Sequence, residues 1–69
     1  MGKTRYQALI QMIAQMPDDV VHLEVLKTYI RRNIATSERL VEETLRSMGN
    51  LGLIEEISPF KYKLNKNAN

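Results

Sequence analysis

Apolar residues recur at helical spacing in three segments of the chain, and the first segment runs from Thr4 to Met16. Positions three or four apart indicate one face of an amphipathic helix. Thr4 is a candidate N-cap, and Pro17 ends the segment because the residue before a proline is disfavoured in the helical conformation. The predicted core face of this first helix comprises Tyr6, Leu9, Ile10, Ile13 and Met16. Ala8 and Met12 lie off this face, as exposed positions or as a second contact surface such as a dimer seam.

A short strand and a second helix are predicted next. Val20-Val21 follows the turn formers Asp18-Asp19, and its two β-branched residues favour a brief strand that pairs with a hairpin elsewhere. A second helix is predicted over 23–33, with His22 as its cap or as a half-buried polar residue. The core side of this helix comprises Leu23, Leu26, Ile30 and Ile34. Val25 and Tyr29 lie to one flank of it.

The third helix divides most clearly into an apolar and a polar side. Ser37 or Thr36 is its candidate N-cap, and Glu38 in the first turn suits the positive end of the helix dipole. At 100° per residue the predicted core arc comprises Leu40, Val41, Thr44, Leu45, Met48 and Leu51. The outward positions are Arg39, Glu42, Glu43, Arg46 and Asn50. Gly52 is placed to end the helix in the left-handed conformation, and fraying is expected from Gly49 onward.

Two alternating segments after Gly52 predict a β-hairpin. The first strand covers 53–57, the turn lies at Ser58-Pro59, and Lys61 and Lys63 alternate with inward-facing Phe60, Tyr62 and Leu64. The polar residues 65–69 predict a frayed tail. We therefore predict one domain over 1–69 with an ordered core of about 4–64. Its class is mainly α with a small β-hairpin (α+β), in which two or three antiparallel strands accompany three helices.

Composition narrows the class of protein without identifying a partner. The 69 residues carry 43% hydrophobic and 26% charged residues, which is typical of a globular domain rather than a disordered chain. The formal net charge of +2 is too small to indicate a polyanion partner by itself. The absence of cysteine excludes disulfides and thiol chemistry. Without a spanning apolar run or a secretion signal, we expect no membrane partner and a cytoplasmic location.

The segment from Leu45 to Glu55, LRSMGNLGLIE, resembles the end of the third helix and the first wing strand of winged-helix transcription regulators. The resemblance extends upstream through Val21-His22-Leu23 and downstream through the hairpin, and it covers nearly the whole chain. It implies a winged helix-turn-helix fold in which the recognition helix corresponds to 37–51 and the wing to 57–63. The positions that would then meet base edges in a major groove are Arg39, Glu42, Glu43 and Arg46. In the wing, Pro59, Lys61 and Lys63 would lie near the backbone or the minor groove.

Binding to duplex DNA requires cations for the phosphates and a few side chains that reach base edges. Arg39 and Arg46 are candidates for guanine and Asn50 for adenine, because their donor and acceptor patterns match these bases. Ser37, at the positive end of the third helix, is a candidate phosphate anchor. The candidates for sequence-independent phosphate contacts are Lys27, Arg31, Arg32, Lys61 and Lys63.

Three carboxylates on the same helix oppose this interpretation. Glu38, Glu42 and Glu43 would lie near phosphates, which is unfavourable unless a carboxylate accepts from cytosine. Alternatively, Arg39 with Glu43 and Glu42 with Arg46 form i,i+4 ion pairs on a solvated or protein-facing surface. The sequence leaves both interpretations open.

Other chemistry has weaker support in the sequence. Asp18, Asp19 and His22 include types that ligate metals, but a turn and a helix cap account for them better. The aromatic residues that could stack on bases are Tyr29, Phe60 and Tyr62. Alternation places Phe60 and Tyr62 in the core instead. No nucleophile with a base, no catalytic carboxylate pair and no cofactor loop can be assembled, so we expect neither an enzyme nor a cofactor or metal site.

Three functions follow as hypotheses. The leading one is a small transcriptional regulator that binds double-stranded DNA through its third helix and hairpin, as a homodimer associated with the nucleoid. The second is a winged-helix adaptor that binds another protein through the third helix or the Met12 flank. The third is a nucleic-acid-binding component of a plasmid or phage replication or maintenance system, which the small size alone suggests.

Overall fold

The computed structural model describes residues 4–66 of the chain. Its elements are α1 (Arg5–Gln15), β1 (Val20–His22), α2 (Leu23–Asn33), α3 (Glu38–Asn50), β2 (Ile54–Ser58) and β3 (Lys61–Leu64). The three strands form one antiparallel sheet in the order β1-β3-β2. The predicted α+β class is therefore confirmed, and the layout is consistent with a winged-helix-like arrangement.

The strand register explains which side of the sheet is buried. Tyr62 lies opposite Val21 on one neighbouring strand and opposite Glu56 on the other, and Leu64 lies opposite Ile54. Residues that face each other across antiparallel strands share a side of the sheet. Val21, Ile54 and Leu64 are buried, so this side packs against the helices. The predicted brief strand at 20–21 is confirmed, and it extends the hairpin to three strands.

Local signals at the helix ends act as the sequence predicts. Thr4, His22 and Ser37 are the N-caps of α1, α2 and α3, and each side chain accepts a backbone N–H of its own helix at 3.1 Å. Gly52 follows α3 with a φ of 78°, a conformation that costs glycine little and other residues more. The helix continues through Gly49 to Asn50.

The core draws side chains from all six elements. Its buried apolar residues are Leu9, Met12, Ile13, Met16, Val21, Leu26, Ile30, Val41, Met48, Leu53, Ile54 and Leu64. Thr44 is buried with them, and its hydroxyl donates to the Leu40 carbonyl at 2.7 Å, so the polar group is satisfied. This packing holds the buried side of α3 against the domain and leaves the opposite side outward.

Two predictions about α1 are wrong. Met12, expected off the core face, is only 2% exposed, whereas Tyr6, expected in the core, is 39% exposed. The buried stripe of α1 is centred near Leu9 and Met16, with Met12 at one border and Tyr6 beyond the other. Because Met12 packs inside the domain, it does not offer the predicted dimer seam or protein-binding flank.

The predicted core arc of α3 is too wide. Leu40 is 41% exposed and Leu51 is 49% exposed, although both were expected inside. Val41, Thr44 and Met48 are the buried positions, and at 100° per residue Leu40 and Leu51 lie together at one border of that arc. The neighbouring elements cover the centre of the arc and not this border.

The chain beyond β3 is tied to the domain as far as the structure describes it. The Asn65 amide group donates to the Gly52 carbonyl at 3.0 Å, and its backbone N–H donates to the Leu53 carbonyl at 2.8 Å. Lys66 Nζ donates to the Met16 carbonyl at 2.6 Å and lies 3.4 Å from Asp19. These contacts join residues 65 and 66 to the domain, while the rest of the predicted frayed tail, 67–69, lies outside the described residues.

None of the helices within residues 4–66 has the length and apolar character needed to cross a membrane.

Candidate nucleic-acid interface

The outward side of α3 is the first part of the candidate site. All five of its predicted outward residues are exposed: Arg39, Glu42, Glu43, Arg46 and Asn50. They lie opposite Val41 and Met48, which anchor the helix in the core. A solvent-exposed helix face of this kind is able to enter the major groove of B-DNA, which is about 12 Å wide.

The charges on this face are only partly paired. Arg39 Nε donates to Glu43 Oε2 at 3.3 Å, so one of the two predicted i,i+4 pairs is present. The other predicted pair, Glu42 with Arg46, does not come within ion-pair distance. Within residues 4–66 Arg46 makes no ion pair with any carboxylate, and its guanidinium is therefore available to a ligand.

A second cluster of charges lies at the start of α3. The Glu38 carboxylate accepts a hydrogen bond from Arg31 Nη2 at 3.0 Å and lies 3.5 Å from Lys27 Nζ. The hydrogen bond and the positive charge of Arg31, with a smaller effect of Lys27, hold the pKa of the Glu38 carboxyl below its ordinary value. Lys27 and Arg31, two of the residues predicted to contact phosphates, are thus already paired with Glu38 of the same chain.

Ser37 occupies the predicted position beside this cluster. Its Oγ accepts the backbone N–H of Leu40, so the hydroxyl hydrogen remains free to donate outward. The neighbouring Glu38 carboxylate reduces the positive potential at this helix end. Ser37 is therefore a weaker phosphate anchor than its sequence position suggests.

A shallow groove of about 390 Å³ lies between the start of α1 and the turn that joins α2 to α3. Arg5, Arg31 and Arg32 line it together with Leu40 and the turn residues. Arg5 was not among the predicted site residues, because its place in the first turn of α1 gives no local sign of proximity to α2. Arg32 is exposed and has no ion pair among the described residues, unlike Arg31.

The hairpin supplies the remaining predicted cations. Lys61 and Lys63 are exposed on the side of β3 that faces away from the core. Lys61 lies opposite His22 and Ser58, and Lys63 lies opposite Val20 and Glu55. Neither lysine forms an ion pair with a carboxylate in the described part of the chain, so both ammonium groups are available to phosphates.

The hairpin turn contains the largest departure from the sequence prediction. Ser58 pairs with Lys61, so Pro59 and Phe60 form a two-residue loop, and Phe60 adopts a φ of 67°. A proline followed by a residue with positive φ is the pattern of a type II turn. Phe60 is therefore a turn residue that is 61% exposed, and its predicted place in the core is wrong because the strand alternation begins only at Lys61.

Most of the residues considered for metal binding or base stacking have structural roles. Asp19 pairs with Lys66, and His22 caps α2. Within residues 4–66 no group of three or more histidine, aspartate or glutamate side chains is placed to hold a metal ion. Tyr29 and Tyr62 pack against the core, which leaves Phe60 as the exposed member of the three predicted stacking aromatics.

No protein-family model, curated protein or solved structure matches this chain. Its function is therefore inferred from the geometry and chemistry of the surface described above.

Proposed function

We propose that this protein is a small winged-helix DNA-binding protein, a transcriptional regulator that binds duplex DNA through α3 and the hairpin. The observation that carries the proposal is the outward face of α3, which is exposed along its length and presents the unpaired guanidinium of Arg46. Protein–DNA recognition commonly uses such a helix face to contact base edges in the major groove. The activity is binding, without a catalytic step or a cofactor.

The polar residues on the outward face of α3 are suited to contact different bases. Arg46 is suited to donate two hydrogen bonds to guanine, and Asn50 matches the donor and acceptor pattern of adenine. Arg39 is paired with Glu43, so it contacts DNA only after this exposed ion pair opens. Glu42 and Glu43 accept from the amino group of cytosine, which favours sites with cytosine at the facing positions.

Phosphate contacts supply the sequence-independent part of the affinity. Arg32, Lys61 and Lys63 serve this role directly, because they are exposed and have no carboxylate partner among the described residues. Lys27 and Arg31 contribute less while Glu38 occupies them. A homodimer would double both sets of contacts on a two-fold symmetric site, and such a protein would act in the cytoplasm at the nucleoid.

A salt titration with a blunt random-sequence duplex tests the proposal. We expect binding at low salt and a linear fall of log affinity with log salt, steeper by about 0.9 for each phosphate contacted. Arg46→Gln should reduce the affinity. The double variant Arg46→Gln with Glu56→Gln restores the native net charge of +2 and should remain weak, because the contact and not the total charge is lost.

Absence of duplex binding at low salt, or binding without a salt slope, would overturn the proposal. Full recovery of affinity in the double variant would also contradict a local role of Arg46.

A protein-binding adaptor is the second candidate function, and one observation favours it. Leu40 and Leu51 are both exposed at the same border of α3, where an apolar partner surface would bury them. The double variant Leu40→Ser with Leu51→Ser separates the two functions. It should keep the duplex affinity of the native protein if α3 binds DNA through its charged face, whereas an adaptor shows no salt-dependent duplex binding in either form.

A further inference from the structure

Two aromatic rings lie together beside the hairpin turn, and we refer to Phe60 in that turn and His22 at the end of β1 as the aromatic tip. Phe60 is 61% exposed, and its ring is stacked on the imidazole of His22 with a centroid distance of 6.3 Å and an interplanar angle of 20°. This distance lies within the usual range for paired aromatic rings. The Phe60 ring therefore packs on His22 and not in the core, and most of its surface is open to a ligand.

Backbone geometry and hydrogen bonds place the aromatic tip beside α2. Phe60 has a φ of 67°, which a residue with a Cβ adopts only when its surroundings hold it there. The Phe60 carbonyl accepts the Leu23 N–H at 2.7 Å, and His22 Nδ1 accepts the Glu24 N–H at 3.1 Å. These bonds hold the backbone at Phe60 and the imidazole of His22 against the first turn of α2, and the Phe60 ring stacks on that imidazole. A pre-organised platform loses little conformational entropy when it binds a flat ligand.

The charges beside the aromatic tip favour an anionic ligand that carries a flat ring. Lys61 is directly opposite His22 in the sheet register, and its other neighbour is the uncharged Ser58. Lys63 lies two residues further along the same side, where Glu55 faces it. Glu24 is the carboxylate nearest in sequence to His22. An exposed ring next to an unpaired ammonium group is the combination with which proteins bind single-stranded nucleic acid, by stacking a base and neutralising its phosphate.

We propose that the aromatic tip stacks one unpaired nucleobase while Lys61 binds the adjoining phosphate. A base inside a duplex is covered on both faces, and the last pair of a blunt end exposes one face but keeps its bases paired. An unpaired overhang base is free to leave the stack, so it presents a face to the tip and its adjoining phosphate to Lys61. The protein therefore prefers DNA with a single-stranded overhang to the same duplex with blunt ends. This site goes beyond the proposed function and does not require α3 to read base pairs.

The test compares two DNAs that share one duplex, one blunt and one with an overhang that carries a fluorescent adenine analogue. The native protein should bind the overhang DNA about 5- to 150-fold more tightly, which corresponds to the stacking energy of one base. The fluorescence of the analogue should fall when the base stacks on Phe60.

Phe60→Gly should abolish both the preference and the quenching. This variant should fold, because glycine adopts the positive φ at this position more readily than phenylalanine. Phe60→Trp provides a larger ring and should strengthen the preference. Tyr6→Leu is the matched control, since it removes an exposed aromatic ring from α1 and should leave both signals unchanged.

Equal affinity of the native protein for the two DNAs, or a preference that survives in Phe60→Gly, would overturn the proposal. Loss of the preference in Tyr6→Leu would also do so. Overhang preference with quenching in the absence of any affinity for the blunt duplex would support the aromatic tip and contradict the proposed function. Salt-dependent binding of the blunt duplex without overhang preference would support the proposed function and contradict base stacking at the aromatic tip.

Discussion

Replacement of Glu38 by glutamine is expected to strengthen duplex binding. The carboxylate of Glu38 accepts from Arg31 at 3.0 Å and lies 3.5 Å from Lys27, so it occupies two cations that would otherwise be free for phosphates. Glutamine keeps the side-chain length and an acceptor oxygen while removing the negative charge. In Glu38→Gln, Lys27 and Arg31 no longer have to release a carboxylate before they bind a phosphate.

The size of the effect follows from the charges in this cluster. Lys27, Arg31 and Glu38 together carry two positive charges and one negative charge, so the variant gains the equivalent of one further neutralised phosphate. One phosphate steepens the slope of log affinity against log salt by about 0.9. If the two proteins bind equally at 1 M salt, the variant binds about 8-fold more tightly at about 0.1 M. A fourfold rise in salt weakens its binding about 3.5-fold more than that of the native protein.

Fluorescence anisotropy of a labelled blunt duplex, measured across a series of salt concentrations, provides these slopes. Glu56→Gln is the matched control. It raises the formal net charge from +2 by the same unit, at an exposed β2 carboxylate with no ion pair among residues 4–66. The control should keep the native slope. A slope in Glu38→Gln equal to that of the native protein or of the control would show that Lys27 and Arg31 do not face phosphates.

Three further predictions concern stability. Gly49→Ala should stabilise the protein by about 0.5–1 kcal/mol, because the added Cβ meets open space and alanine favours a helix more than glycine does. Gly52→Ala should destabilise the protein by about 1 kcal/mol, because alanine is strained at a φ of 78°. Urea unfolding measures both free energies. Lys66→Met should lower the free energy of unfolding by about 1.5–3 kcal/mol through loss of a charged hydrogen bond, and equal melting of Lys66→Met and Lys61→Met would refute this. The pKa of Glu38 is lowered in the folded protein, so its stabilisation is present above the ordinary glutamate pKa and is lost as pH falls through the lowered value. The melting temperatures of the native protein and Glu38→Gln should therefore converge in acid, and a difference independent of pH would contradict the ion pairs.

The sequence predicts the element ends well because their signals are local. Thr4, His22 and Ser37 each cap a helix by accepting an N–H two or three residues away, and Gly52 ends α3 through its own φ. Each of these features depends on the identity of one residue and its near neighbours. They need no knowledge of how the helices pack.

The border of a buried face depends instead on the neighbouring elements. Periodicity gives the direction of the apolar side of a helix, but the contact with other elements determines its width. That is why Met12 is buried and Tyr6 and Leu40 are exposed. Phe60 is exposed for a different reason, since it belongs to the turn and the strand alternation begins only at the next residue.

Contacts between segments that are distant in the sequence could not be predicted either. Glu38 was predicted as a partner of the helix dipole, yet it binds Arg31 and Lys27 because α2 and α3 meet at this point. Lys66 reaches the Met16 carbonyl across the fold in a similar way. Neither contact leaves a periodic signal, and each changes which cations remain available to a ligand.

An NMR titration of the protein with blunt duplex DNA at low salt tests most directly whether α3 and the hairpin bind DNA. We expect the largest amide chemical-shift changes along the outward face of α3 at Arg39, Arg46 and Asn50, with a second set at Lys61 and Lys63. Unchanged spectra in a large excess of DNA, or changes confined to residues outside α3 and the hairpin, would contradict the proposed binding surface.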